Sequence, residues 1–154
     1  MKPMVQREGE GLVFDVMASR VSIRVRAEDT AGAFSVVEMQ APPGFQAPPV
    51  RHRHSNVDWY ALIEDGEIVI ELDGVEHRVP RGGLVVVPRG VAFRWWNASH
   101  EHGVRWLATY TPGGFERFFV DMVGRLRALG HPPTPSDMTA IASSLWKQYD
   151  VETV

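Results

Sequence analysis

The chain has 154 residues, 44% of them hydrophobic and 23% charged, which suits one globular domain with a core and excludes a disordered polymer. It contains no cysteine. Disulfide staples, thiolate metal sites and thiol nucleophiles are therefore excluded, and any metal would have to be held by the six histidines and by carboxylates. A formal charge of −3 gives no electrostatic case for nucleic acid or an anionic membrane surface.

Fourteen glycines and eleven prolines predict many turns and short strands. No stretch approaches the ~18 uninterrupted apolar residues of a membrane helix. The run from Met1 to Glu8 has no apolar segment behind its lysine, so no secretory leader is expected and the cytoplasm is the default location.

From residue 11 to about 110, short apolar runs alternate with turn signals, the pattern of an all-β unit. The strands expected in chain order are Leu12–Met17, Val21–Arg26, Phe34–Gln40, Val57–Ile63, Glu67–Leu72, Val75–Val79, Leu84–Val87, Ala92–Asn97 and Val104–Tyr110. Asp73-Gly74 reads as a tight hairpin turn, because both residues tolerate positive φ. Glu64-Asp65-Gly66 reads as a second turn of the same kind. Pro42-Pro43-Gly44 and Pro48-Pro49 mark an extended crossing segment. This many strands in so short a stretch predicts a sandwich or barrel closed by Greek-key connections.

After Thr111-Pro112-Gly113-Gly114 the pattern becomes helical. Phe115, Phe118, Phe119, Met122, Leu126 and Leu129 share one face, so residues 115–129 read as an amphipathic helix ending at Gly130. A stiff Pro-rich connector leads to a second helix over 136–149, with Ser136 as its expected cap and Ile141, Leu145, Trp146 and Tyr149 as its apolar stripe. Two short helices do not fold alone, so they are expected to pack across the outside of the β unit, with Phe118, Phe119 and Met122 as packing. The whole of 1–154 reads as one domain.

Two segments carry the chemistry. In the first, Gly44 is followed after seven residues by His52-Arg53-His54, after four more by Trp59 and after six more by Gly66. The second runs from Gly82 over five residues to Pro88-Arg89-Gly90-Val91-Ala92-Phe93-Arg94-Trp95-Trp96-Asn97. Together they resemble the two signature motifs of the cupin superfamily. Thr111 to Phe119 and the Pro-rich link to a last helix look like the small bacterial cupins similar to quercetin 2,3-dioxygenases. The resemblance covers nearly the whole chain and implies a double-stranded β-helix, or jelly-roll barrel, with two C-terminal helices.

In metal-binding cupins the motifs imply three histidines and one glutamate. Here His52 and His54 stand at the first two positions, Trp59 stands at the glutamate position and Phe93 at the third histidine position. Asp58 is one residue early, and a one-residue offset on a strand turns a side chain to the opposite face. Losing even an outer partner weakens a metal site ~10–100-fold, so losing two ligands predicts no resident metal. The alternative is a divalent Ni, Cu, Zn, Mn or Fe held weakly by His52 and His54.

Strand parity gives the pocket. Inward His52 and His54 turn Arg51 and Arg53 outward; inward Trp59 brings Ala61 and Ile63 with it; inward Phe93 brings Trp95 and sends Arg94 and Trp96 out. His52 and His54 are the candidate catalytic residues, with Trp59, Phe93, Trp95, Ala61 and Ile63 as the candidate binding wall. Arg94 and Arg105 are the arginines expected nearest a pocket rim. His77, His131 and the His100-Glu101-His102 turn are expected to be structural or solvated. An aromatic pocket with two imidazoles predicts a planar aromatic or polyketide-like ligand and histidine acid/base chemistry on it. A metal-dependent, quercetinase-like dioxygenase and a non-catalytic binding or sensing module are the alternatives. Among partners, no nucleic acid and no membrane are expected, and the resemblance implies a homodimer.

Overall fold

The computed structural model describes residues 1, 3–16, 18–46 and 50–154. The expected strand end at Met17 and the Pro48-Pro49 segment lie outside the described residues. The strands are β1 (Leu12–Val16), β2 (Ser19–Val25), β3 (Ser35–Ala41), β4 (His52–His54), β5 (Asp58–Asp65), β6 (Glu67–Leu72), β7 (Val75–Pro80), β8 (Leu84–Val87), β9 (Phe93–Trp96), β10 (Val104–Thr111) and β11 (Val151–Thr153). The helices are α1 (Glu116–Ala128) and α2 (Pro135–Gln148), and a 3-10 turn covers Ala27–Thr30. None of the described helices is long and apolar enough to cross a membrane.

The strands form two antiparallel sheets. One has the order β1-β2-β3-β10-β5-β8, the other β11-β4-β9-β6-β7. Side chains alternate between faces, and β10 shows it over its full length: Val104, Trp106, Ala108 and Tyr110 are buried, while the residues between them are half-exposed. Its register with β5 sets Tyr110 opposite Trp59, Ala108 opposite Ala61 and Trp106 opposite Ile63. The expected fold class is therefore the observed one, with β4, β11 and the 3-10 turn added to the expected elements.

The glycines and the asparagine of the second motif have local reasons. Gly82 and Gly90 both hold φ near +82°, a region that disfavours a Cβ. The Gly90 N–H then donates to the His54 carbonyl at 2.8 Å, which ties the second motif to the histidine strand. Asn97 is buried; its amide donates to the carbonyls of Pro42 (3.0 Å) and His102 (2.8 Å), and its oxygen accepts from the Ser99 N–H (3.0 Å). One side chain thus pins two loops, the one after β3 and the one between β9 and β10, at the end of the barrel.

The Asp73-Gly74 turn is as expected, with φ of 48° and 86° and Leu72 paired with Val75 across it. The Gly66 turn is different. β5 continues through Asp65, and a single positive φ at Gly66 passes the chain into β6 of the other sheet rather than closing a hairpin. A Cβ there would collide with the Gly103 carbonyl, so glycine is needed for close passage.

The second helix is capped by Thr134, not Ser136. The Thr134 hydroxyl accepts from the Asp137 N–H (3.2 Å), the Asp137 carboxylate accepts from the Thr134 N–H (2.9 Å), and Pro135 occupies the first helical turn. The reciprocal pair satisfies two orphan donors and the proline ring fits where no N–H is required, so this start wins over one a residue or two later.

Candidate functional site

Between the two sheets and the helices lies a cavity of about 330 Å³. The barrel contributes His52 and His54 from β4, Trp59 from β5, Phe93 and Trp95 from β9, and Trp106 and Tyr110 from β10. The helices close it: Phe118, Phe119 and Met122 of α1 and Met138, Thr139, Ala142 and Trp146 of α2 also line it. This corrects two expectations. The helices do not merely pack on the outside, and the Phe118, Phe119, Met122 stripe is cavity wall, because the apolar face of α1 meets the open end of the barrel rather than a filled core.

The two imidazoles are buried, His52 at 5% and His54 at 7% exposure, with ring centroids 5.6 Å apart. Each is enclosed by rings. His52 lies 4.4 Å from Phe93 and is stacked on Trp146 at 5.7 Å. His54 is stacked on Phe115 at 4.5 Å and lies parallel to Tyr110, 8° between planes, at 6.3 Å. Trp59 stacks on Phe93 at 5.2 Å. The outward partners follow parity: Arg53 is exposed and pairs with Glu152 of β11 at 2.6 Å, so the C-terminal strand fastens the histidine strand.

Desolvation decides the charge state. Burial lowers the pKa of His52, with the Val50 carbonyl opposing it. Burial, and next the neighbouring His52, push His54 down to about 3. Both rings are neutral near pH 7. The Nδ1 of His52 lies 3.4 Å from the Val50 carbonyl oxygen, which only accepts, so Nδ1 carries the proton and Nε2 keeps its lone pair. The Nδ1 of His54 is buried with no hydrogen-bond partner among the described residues. Tyr110 is also buried; burial raises its pKa, with the neighbouring Trp59 indole pulling the other way. It stays a protonated phenol.

Of the residues expected at the site, His52, His54, Trp59, Phe93 and Trp95 come together. Ala61 and Ile63 do not. Their parity is right and both are buried, but each step along β5 moves them away from the histidines, into the core opposite Ala108 and Trp106. They are not among the cavity-lining residues. Arg94 does not line the cavity either: with Arg51 it grips the buried Glu71, its Nε 2.7 Å from the carboxylate, and its guanidinium lies over Trp96. Arg105 pairs with Glu8 and Glu64. Asp58 is bound to Arg89 at 2.9 Å, away from the imidazoles.

The donor set can be tested against the metal centre that the motifs imply. No group of three His, Asp or Glu side chains converges among the described residues. Around His52 and His54 the neighbouring rings are those of Phe93, Phe115, Trp146 and Tyr110, none of them an imidazole or a carboxylate. These residues do not fit a centre of three histidines and one glutamate.

Comparison with known proteins agrees with this architecture. Residues 37–110 match the family model of the cupin domain. The fold is that of the cupins. The cupin barrel superimposes on KdgF from a Halomonas species with a TM-score of 0.64 at 16% identity, covering 75% of this chain and 99% of that one. It superimposes equally, at 0.64 and 18% identity, on a predicted oxalate decarboxylase from Thermotoga maritima, covering 71% of this chain and 99% of that one. In sequence it is 32% identical over 77 residues to phomopsin biosynthesis cluster protein C' of Diaporthe leptostromiformis, covering 40% of each chain. It is 43% identical over 49 residues to protein D of the same cluster, covering 32% of this chain and 25% of that one. The match thus spans less than half the length of either curated relative.

Sequence reasoning missed Tyr110, Phe115, Trp106 and Trp146 as parts of the cupin cavity. Tyr110 and Trp106 were legible by parity, since they share a face of β10 with the small Ala108. Trp146 was legible only as a helix stripe, because nothing in its spacing says which surface the stripe faces.

Proposed function

We propose that this cupin barrel admits a planar aromatic or polyketide-like small molecule to its helix-capped cavity and acts on it by histidine acid/base chemistry, without a resident metal. The observation that carries the reading is the pair of neutral, buried imidazoles set among stacked rings. Rings offer faces on which a flat molecule stacks. His52 is the proton acceptor, because its tautomer leaves Nε2 free. His54 stays neutral to about pH 3, does not compete for that proton, and serves as a hydrogen-bonding wall. A positioned base of this kind contributes ~10²–10⁴-fold to a proton transfer.

Two findings support a small-molecule role. The fungal relatives are named for a biosynthesis cluster, and a similar barrel, PAC13 of Streptomyces, was solved with uridine (TM-score 0.56, 14% identity, 76% of this chain and 88% of that one). The dioxygenase alternative would have to work with His52 and His54 alone, since no third His, Asp or Glu joins them among the described residues.

The test is a panel of flavonoids, anthraquinones and linear aromatic polyketides, screened by tryptophan quenching and then incubated and examined by mass spectrometry. Expected are binding by at least one flat compound and a product whose formation falls on His52→Ala. Binding with no product leaves a sensing module. A product formed equally fast by His52→Ala overturns the assignment of the base.

A further inference from the structure

Among the described residues the cavity lining includes no Asp, Glu, Lys or Arg; its polar side-chain groups are those of Ser19, Gln46 and Thr139, the two imidazoles, the Tyr110 phenol and the indole N–H groups of four tryptophans. Two of these face one another in function. His52 Nε2 offers a lone pair. The buried Tyr110 phenol lines the cavity opposite its cross-strand neighbour Trp59 and stays protonated, so its O–H is available to donate to a ligand. The ring of Tyr110 is fixed between His54 (parallel, 6.3 Å) and Phe115 (4.7 Å), so the phenol does not turn away. A cavity with a phenol donor and an imidazole acceptor held in place, and no charged side chain among its described lining residues, is a filter on ligand chemistry.

We infer that Tyr110 is a specificity-determining residue of this cavity, donating its O–H to a carbonyl oxygen of an uncharged hydroxy-carbonyl aromatic whose own hydroxyl donates to His52 Nε2. The inference rests on the ligand reading above and narrows it. A neutral ligand is selected because an ionised carboxylate would be buried with no cation to answer it. His52 and Tyr110 project from strands of different sheets, each neighbouring His54 (centroids 5.6 Å and 6.3 Å), so the ligand hydroxyl and carbonyl are placed at separate points of the flat body. A volume of about 330 Å³ is at the small end of ligand pockets, which suits two or three fused rings rather than an extended polycycle.

The experiment uses three probes of one shape: 6-hydroxy-2-acetonaphthone, its carboxylate counterpart 6-hydroxy-2-naphthoate, and 2-ethyl-6-hydroxynaphthalene, which lacks the carbonyl. Binding to the full chain and to Tyr110→Phe is measured by calorimetry at pH 7.5. The ketone is expected to bind at least tenfold more tightly than the naphthoate. Tyr110→Phe, which keeps the ring and its stacking, is expected to weaken the ketone by about three- to tenfold and to leave the ethyl compound within twofold. A uniform loss for both compounds makes Tyr110 structural and overturns the inference. So does naphthoate binding that equals the ketone, and so does failure of all three probes to bind. The wider panel with His52→Ala reads the proposed chemistry separately, so a failure here with a product there overturns only the ligand class.

Discussion

The imidazole of His52 and the ring of Phe93 are register partners across β4 and β9, with centroids 4.4 Å apart. Phe93 occupies the position at which the motif resemblance implies a third histidine, and the geometry around it is that of three rings about a point. The centroid separations are 4.4, 5.4 and 5.6 Å for His52–Phe93, His54–Phe93 and His52–His54. Three imidazoles on one zinc, with Zn–N of about 2.0–2.1 Å, hold their centroids roughly 5 Å apart. Phe93→His is therefore expected to create a three-histidine zinc site. Elemental analysis after dialysis should give about one equivalent of zinc in the variant and a trace in the native protein. A trace in both would mean that the three rings do not converge.

Acid should destabilise the protein through the same two histidines. An unfolded imidazole titrates near 6.5, whereas burial lowers His52 and takes His54 to about 3. Below about pH 6.5 the unfolded chain binds protons that the native chain refuses, so stability falls as pH falls, until the folded value is passed. One such group gives a slope of about 1.4 kcal/mol per pH unit. Asp58, held at about 2 by Arg89, adds a loss of the same sign only below its ordinary 3.8. Urea midpoints between pH 7.5 and 4.5 check this: His54→Leu should flatten the slope by one imidazole's share, and an unchanged slope would contradict the assignment.

These histidines also mark where the sequence was legible and where it was not. Strands such as Glu67–Leu72 and Leu84–Val87 agree at both ends, because alternation and flanking turns are local signals. β4 is only three residues long and β11 likewise, too short for a period to show, so β4 was visible only through its motif and β11 not at all. Gly66 was read as a hairpin because a turn residue does not announce whether the next strand joins the same sheet. The cavity's barrel wall followed from parity. Its helical wall did not, because an amphipathic stripe on α1 records that a face is buried and not what it covers.

Glu71 tests the outer side of the β9 sheet. Its carboxylate is 3% exposed and accepts from Arg94 at 2.7 Å, with Arg51 on the other oxygen. Removing the charge leaves two guanidiniums that are 39% and 48% exposed and can turn to water, so the loss is smaller than for a fully buried pair. Glu71→Gln is expected to cost about 2 kcal/mol, read by urea denaturation. Binding in the cavity should be unchanged, since Glu71 does not line it. A cost near zero would show that the carboxylate does not hold the two arginines, with Arg94 kept in place by its packing over Trp96.

Trp146 is the point at which α2 controls the histidines. Its ring stacks on His52 at 5.7 Å, the helix start is fixed by the Thr134–Asp137 box, and the helix end runs into β11, which pairs with β4. Truncating the ring removes the cover over His52 and admits water, so the desolvation that lowers its pKa is relieved. In Trp146→Ala the His52 pKa should rise toward 6.5, while His54, enclosed by Phe115 and Tyr110 on the other side, should move less. Titration of the imidazole resonances by NMR separates the two. The same substitution should speed ligand release, because α2 closes the cavity. If both pKa values stay where they were, water does not reach His52 by that route, and the seal lies with Phe93 and Val151 instead.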